Sequence, residues 1–269
     1  MTRQFLKISE IGNVGIVTLD RADKRNALDE DAIAEIDAYF SAIPSHLRAI
    51  VMRAEGEHFC AGLDLKEHHD RKRSAVDFMR VCQGWHRAFD KIQHGGTPVI
   101  ACMQGAVVGG GLELASAAHV RVADNTTYFS LPEGTRGIFT GGGATVRTAR
   151  IVSAPRMVEM MLTGRVLDHR EGLRLGLAHY VSTDGDTPRT TYQLGLELAQ
   201  KIATNAVLSN YAIVSSINRI ADMSSTDGLF AEGLIAGVVQ TGAEVQDRLG
   251  AFVEKRAHKV KPADPHMTG

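Results

Sequence analysis

The stretch AVVGGGLELASAAH (106–119) constrains this chain most, because three consecutive glycines are followed, one leucine later, by a glutamate and then by an apolar, alanine-rich segment. Glycine tolerates positive φ and lets another backbone or a ligand approach closely, so Gly109–Gly111 reads as a tight turn. The residues after the turn have helical character, and the first N–H groups of a helix lack partners inside it. A helix starting at Gly110 therefore directs free amides and the positive end of its dipole at whatever the turn faces. Glu113 lies one turn in, among residues that read as core. A buried carboxylate is costly, so it serves either to satisfy the dipole or to handle a proton. A dinucleotide fingerprint fails here, since Leu114 occupies the third glycine position of G-x-G-x-x-G, and there is no Walker phosphate loop.

Around that turn the pattern alternates strand, turn and helix. FLKISEIGNVGIVTLD predicts two strands about Gly12 and Gly15. Asp29 is a candidate N-cap for a helix whose apolar stripe is Ile33, Ile36, Phe40 and Ile43. LRAIVMRAEG (47–56) is a strand, HFCAGLDL a loop, and 66–92 one long helical region in which Arg71-Lys72-Arg73 reads as an exposed charged face. TPVIACMQG (97–105) and HVRVADNTTYFS bring strand character back on either side of the glycine turn. This cycle suggests stacked β-β-α turns, although self-similarity is too weak to define a repeat. Beyond about residue 155 the pattern turns helical, with Gly and Ala interrupting the stripes of TYQLGLELAQKIATNA and of the segment from 227 to 260. Those small residues serve either close packing within the chain or a subunit contact. The end, KPADPHMTG, reads as frayed.

Charge and cysteine usage remove several classes of function. Thirty Lys and Arg against 31 Asp and Glu leave a net charge of −1, so no overall field attracts nucleic acid or an anionic membrane. The start MTRQFLKISEIG lacks a signal-peptide core, and no apolar run approaches ~18 residues. A cytoplasmic location is expected. Three separated cysteines, Cys60, Cys82 and Cys102, suit a reducing compartment better than a disulfide framework. His58, Cys60, His68 and His69 raise a zinc reading, but their spacing matches no standard ligand pattern and no metal is expected. Cys82 and His86, four apart, sit in an ordinary amphipathic stretch, and G-x-S-x-G is absent.

A second carboxylate, Glu133, follows Leu131-Pro132 in FSLPEGTRG, where proline biases the preceding residue toward extended backbone. Two glutamates in one pocket can divide acid and base work if their environments push their pKa values apart. Spacing alone leaves their proximity open. Lys24 and Arg25, ahead of Asn26-Ala27-Leu28, form a local basic pair that suits a phosphate or is simply a solvated turn.

Taken jointly, DRADKRNALD (20–29), HFCAGLDLKE (58–67), QGAVVGGGLELA (104–115) and SLPEGTRGIFTGGG (130–143) resemble, in order and spacing, the four signature regions of the crotonase family, above all its enoyl-CoA hydratases. The resemblance implies an α/β crotonase fold: a spiral of β-β-α turns over residues 1–200 holding a CoA-thioester site, and a helical region, 201–269, that assembles a homotrimer or a dimer of trimers. It implies reversible addition of water to a trans-2-enoyl-CoA, with coenzyme A as part of the substrate and no other cofactor. The main-chain N–H groups of Leu63 and Gly110 would form the oxyanion hole. Glu113 would orient and deprotonate water, and Glu133 would exchange a proton at the α-carbon, the burial of Glu113 being offset by the dipole, a bound water and the partner glutamate. Lys24, Arg25 and Ala27 would approach the CoA phosphates; Ala61, Asp64 and Leu65 would wrap the adenine and pantetheine arm; Gly109 and Gly141 would also belong to the CoA and substrate site, and Phe252 and Lys255 would contact CoA from the C-terminal helix. This sequence departs from the family pattern at Ala22 and Thr140, both usually proline, and at Arg136 and Phe139. An inward Arg136 would pair with Glu133 and lower its pKa, and Phe139 would reshape the acyl pocket. These departures leave room for an isomerase or lyase acting on a bulkier, aromatic acyl group. A crotonase-fold binding protein with little turnover is the remaining alternative.

Overall fold

The computed structural model describes residues 4–183 and 189–256, so the C-terminal stretch expected to fray lies outside the described residues. β1 (Leu6–Ile11) and β2 (Val14–Leu19) pair antiparallel as the expected hairpin, turning through Gly12 at φ +60°. Asp29 caps α1 (Glu30–Ser41) by accepting from the Ala32 N–H at 2.9 Å, a contact typically worth about 1 kcal/mol. Ile33, Ile36 and Phe40 face the core, while Ile43 lies past the helix end. β3 (Ala49–Ala54) comes next.

The single helix expected over 66–92 is two. α2 (Leu65–Arg71) ends at Lys72, which is left-handed at φ +43°, and α3 (Ala75–His94) restarts with Ser74 as its cap. Arg71-Lys72-Arg73 is thus not a uniform exposed helical face. The Arg73 side chain is nearly buried and pairs with Glu30 at the start of α1, which locks the break in place.

The chain continues through β4 (Val99–Cys102), β5 (Ala106–Val108), α4 (Gly110–Ala117), β6 (Val120–Ala123) and β7 (Tyr128–Ser130). The region beyond 155 is not purely helical. After α5 (Arg147–Val152) and α6 (Ala154–Thr163) it contains β8 (Val166–Asp168), α7 (His169–Arg174) and β9 (Tyr180–Val181) before α8 (Thr191–Ala203). Strands of two or three residues are too short to register as a period.

From β4 to β7 successive strands alternate between two layers. The larger sheet runs β1-β2-β3-β4-β6-β9, parallel except at the hairpin, and the smaller runs β5-β7-β8. Bridges Cys60–Val107 and Leu28–Leu63 extend the smaller layer to the loops around 28 and 60–63. This is the expected spiral, its turns adding a strand to the larger sheet and a strand or a bridged loop to the smaller layer.

Its core is continuous from α1 and α3 through the large sheet, whose far face packs on Leu194, Ala199 and Ala203 of α8. At Gly195 a Cβ would stand 2.2 Å from Cys102 Sγ, so at least this interrupted stripe serves packing within the chain. α9 (Val207–Ile220) contacts α3, and α10 (Ser225–Gln240) and α11 (Ala243–Val253) extend beyond it. On α10, Phe230, Leu234 and Val238 recur every fourth residue and are 70, 57 and 58% exposed in the single chain.

Candidate active site

The glycine turn closes through contacts that only glycine permits. Gly109 has φ +52°, and its N–H donates to Ser130 O at the end of β7, joining the second layer at the point where both loops leave it. A Cβ there would stand 3.0 Å from Glu133 Oε1. At Gly110 a Cβ would meet the Trp85 ring at 2.5 and 2.8 Å, and at Gly111 it would stand 2.2 Å from Cys60 O. Three neighbours thus press on three successive glycines: a carboxylate, an indole and a carbonyl.

The loop at 60–63 arrives from the other side. A Cβ on Gly62 would fall 2.6 Å from Val108 O and 2.9 Å from Gly110 N, so the two main chains touch. Leu28 N–H donates to Gly62 O, and Asp64 N–H donates to Leu28 O, which orients the intervening peptide. Among the described residues, neither the Leu63 nor the Gly110 N–H has a protein acceptor, and both residues line one cavity of about 310 Å³.

Every residue that the four motifs assign to the CoA-thioester site lines that cavity: Glu113 and Glu133, Leu63 and Gly110, Lys24, Arg25 and Ala27, Ala61, Asp64 and Leu65, and Gly109 and Gly141. Phe252 and Lys255 do not; Phe252 is 71% exposed on α11. Asp64 lies there for a structural reason. Its carboxylate caps α2 through the Lys66 and Glu67 N–H groups, both at 3.1 Å, and pairs with Arg21 at 2.8 Å. Burial pushes its pKa up, but these donors outweigh it and hold the group below its ordinary range.

Glu113 is 3% exposed on α4, and its Oε1 accepts the N–H groups of Gly142 and Ala144 at 2.8 and 3.0 Å. A Cβ on Gly142 would stand 2.7 Å from Oε2, so that glycine also makes room for the carboxylate. Burial raises the Glu113 pKa, against the lowering effect of these amides and of Arg147. Glu133 is 6% exposed, its Oε2 is buried without a hydrogen-bond partner, and its pKa is pushed up to about 7, chiefly by burial and further by Glu113. The like charge of Glu113 thus opposes ionisation of Glu133, and the partner glutamate is not among the groups that offset the burial of Glu113. The two main-chain donors take over that role.

Arg136 borders the cavity but forms no ion pair with Glu133 among the described residues, and its lowering effect is outweighed. The expected pairing is not present. Phe139 sits at the mouth, 68% exposed. The zinc reading gives way to local bonding: His58 Nδ1 accepts from Ala106 N–H, Cys60 Sγ donates to Asn26 O, and burial raises the Cys60 thiol to about 12. Among the described residues no His, Cys, Asp or Glu cluster could hold a metal ion, and no helix is long and apolar enough to cross a membrane.

Two residues that shape the site escape sequence reasoning. Trp85 is one of the buried residues of α3, and its ring packs against Gly110 and forms the wall beside Gly142, 2.8 Å from where a Cβ would stand. Asn26 is fully buried at φ +55°; its Oδ1 accepts from Arg21 N–H while Nδ2 donates to Glu55 O and His58 O. That latch holds the Lys24–Ala27 turn against the 58–61 loop, where Ala61 N–H donates to Arg25 O.

A family model described as enoyl-CoA hydratase/isomerase matches residues 10–262. The chain belongs to the enoyl-CoA hydratase/isomerase family. A solved structure from Rhodopseudomonas palustris, provisionally described as an enoyl-CoA hydratase, superposes with a TM-score of 0.88 at 43% identity over 94% of this chain and 95% of that one. Similarity also extends to the short-chain-enoyl-CoA hydratase of Clostridium acetobutylicum, 29% identical over 91% of this chain and 93% of that protein. A mitochondrial Δ(3,5)-Δ(2,4)-dienoyl-CoA isomerase of Dictyostelium discoideum is 27% identical over 90 and 86%. The crotonase fold implied by the four motifs is the fold observed, and the family is one of enzymes. The Clostridium hydratase and the Dictyostelium isomerase stand at similar identity, 29 and 27%, so family membership leaves the reaction to be argued from the site.

Proposed function

We propose that the protein adds water reversibly to a trans-2-enoyl-CoA. The observation that carries this reading is a pair of buried carboxylates with raised pKa values bordering one cavity with two unengaged main-chain amides. The thioester oxygen would accept the Leu63 and Gly110 N–H groups, and α4 adds its positive end at the same place. Glu113, held through Oε1, accepts a proton from water as the water oxygen bonds to the β-carbon. The π electrons move to the thioester oxygen, whose developing charge the two amides stabilise, one such donor being worth roughly 3–4 kcal/mol. Glu133, with its pKa near 7, then delivers its proton to the α-carbon and leaves 3-hydroxyacyl-CoA. No metal or redox group is required, and CoA enters as part of the substrate, with Lys24 and Arg25 beside its phosphates.

The exposed stripe of Phe230, Leu234 and Val238 supports assembly into a homotrimer or a dimer of trimers. Balanced charge supports a role apart from nucleic acid and membranes, in the cytoplasm. A second reading, isomerisation or lysis of a bulkier acyl-CoA, is favoured by the aromatic lining of Phe78, Trp85 and Phe139.

Short, long and aromatic enoyl-CoAs separate the readings. Loss of the conjugated enone absorbance with 3-hydroxyacyl-CoA appearing supports hydration; double-bond migration without water uptake rejects it. Glu113→Gln and Glu133→Gln should each lower the rate by on the order of 10² to 10⁴, and undiminished turnover in both would overturn the mechanism.

A further inference from the structure

The loop that grips Glu113 is itself gripped from behind. Gly142 N–H and Ala144 N–H hold the carboxylate, and Gly142 O on the same peptide run accepts from Arg147 at 3.3 Å. The Arg147 side chain is 9% exposed; its guanidinium also donates from Nε to Gln93 Oε1 at 2.6 Å, while Nη2 lies 3.9 Å from Asp90 Oδ1. Gln93 and Asp90 belong to α3, the helix that carries Trp85. The guanidinium passes so close to the loop that a Cβ on Gly143, which sits at φ +106°, would stand 2.4 Å from Nη1. A planar fork makes these bonds in fixed directions, which a lysine cannot do.

We propose that Arg147 is a positioning residue for the reaction: it ties the 142–144 loop to α3 so that two main-chain amides stay fixed on Glu113 Oε1 while Oε2 remains available to the cavity. It acts through Glu113 and does not line the substrate cavity. This rests on the role of Glu113 proposed above. The charged and titratable groups around Glu113 are Glu133 from the loop after β7, Cys82 from α3 and Arg147 from α5. Those facing Arg147 are Asp90 and His94 of α3, Arg150 of its own helix and Glu113. His94 is held below its ordinary pKa by burial and by Arg219 and Arg147, so it adds little charge near neutrality. Arg147 is therefore the one of these cations that favours the Glu113 carboxylate directly.

The test uses the full-length protein labelled with ¹³C at glutamate carboxyl carbons, the Glu113 signal being the one missing from Glu113→Gln. Arg147→Met should move the Glu113 titration upward by about one pH unit, and the acid limb of kcat should move with it. kcat should fall on the order of tenfold to a hundredfold with KM for the enoyl-CoA nearly unchanged. Arg147→Lys, which keeps the charge and loses the fork, should restore the pH limb while kcat stays several-fold down. In the Glu113→Gln background, Arg147→Met should cost no further rate. An unshifted Glu113 titration, or an additive loss in the double variant, overturns the proposal. If Arg147→Met does not fold, Arg147→Lys decides: wild-type kcat at an unchanged pH limb overturns the positioning role. If the wild type turns over no enoyl-CoA while the titration still shifts, the loop tie stands and the hydratase reading fails.

Discussion

Glu133 is held in a state that works against the fold, and its removal should show this as a pH-dependent gain in stability. Its pKa rises from an ordinary 4.5 to about 7, first because burial disfavours the charged form and then because Glu113 lies nearby. Below about pH 4.5 the group is protonated in both folded and unfolded chains and contributes no difference. Between 4.5 and 7 the unfolded chain ionises and the folded one does not, so stability falls as pH rises through that window, and above 7 the loss is complete. A rise of this size corresponds to roughly 3 kcal/mol, which partial solvent access reduces to about 2 kcal/mol. Glu133→Gln keeps the shape and removes the titration. Whatever the amide itself costs beside the partnerless Oε2 position applies at every pH, so the difference between two pH values isolates the charge. Denaturant unfolding at fixed protein concentration should find the variant gaining about 2 kcal/mol on the wild type between pH 4.5 and pH 8. In a thermal scan this is about 4–8 °C. Turnover should fall in the same protein. A stability difference that is flat with pH, or one that shifts in favour of the wild type between pH 4.5 and pH 8, would refute the argument that burial rather than Arg136 sets this carboxyl.

The glycine turn and the exposed helical stripe each carry a further expectation. Gly110→Ala drives a methyl into the Trp85 ring, 2.5 Å from its nearest atom. It should cost about 1–3 kcal/mol by overpacking and, by displacing the Gly110 N–H, on the order of 10² in kcat; activity within a factor of about two of wild type, checked by steady-state kinetics, would remove this amide from the mechanism. Phe230→Asp places a charge in the α10 stripe, where Phe230 is 70% exposed in the single chain. Sedimentation velocity should find an assembled wild type and a dissociated variant, and an unchanged sedimentation coefficient would show that this stripe is not the contact.

What the sequence revealed and what it hid divide along a physical line. The Gly109–Gly111 turn, the Asp29 cap and the Glu133 loop were legible because each depends on local chemistry: a residue that permits positive φ, a side chain that bonds an amide three positions on, a proline that fixes its neighbour. The break at Lys72 was hidden because a left-handed lysine carries no signal, although Ser74 followed three later by Asp77 marked the restart of a helix. Asn26 was hidden for the same reason, since its latch is made with carbonyls about 30 residues away.

The donors on Glu113 could not be read at all, because main-chain amides belong to every residue. Only the space around them leaves a trace in the sequence. The run Gly141-Gly142-Gly143 resembles an ordinary flexible loop, yet in the fold a Cβ at each would strike a different side chain: Cys82 Sγ at 2.7 Å, Glu113 Oε2 at 2.7 Å and Arg147 Nη1 at 2.4 Å. The same holds for Gly109 and Gly110 against Glu133 and Trp85. Glycine runs in this chain therefore mark where functional side chains converge on backbone, and the two runs, about 30 residues apart, both contribute to the lining of the cavity that holds both glutamates.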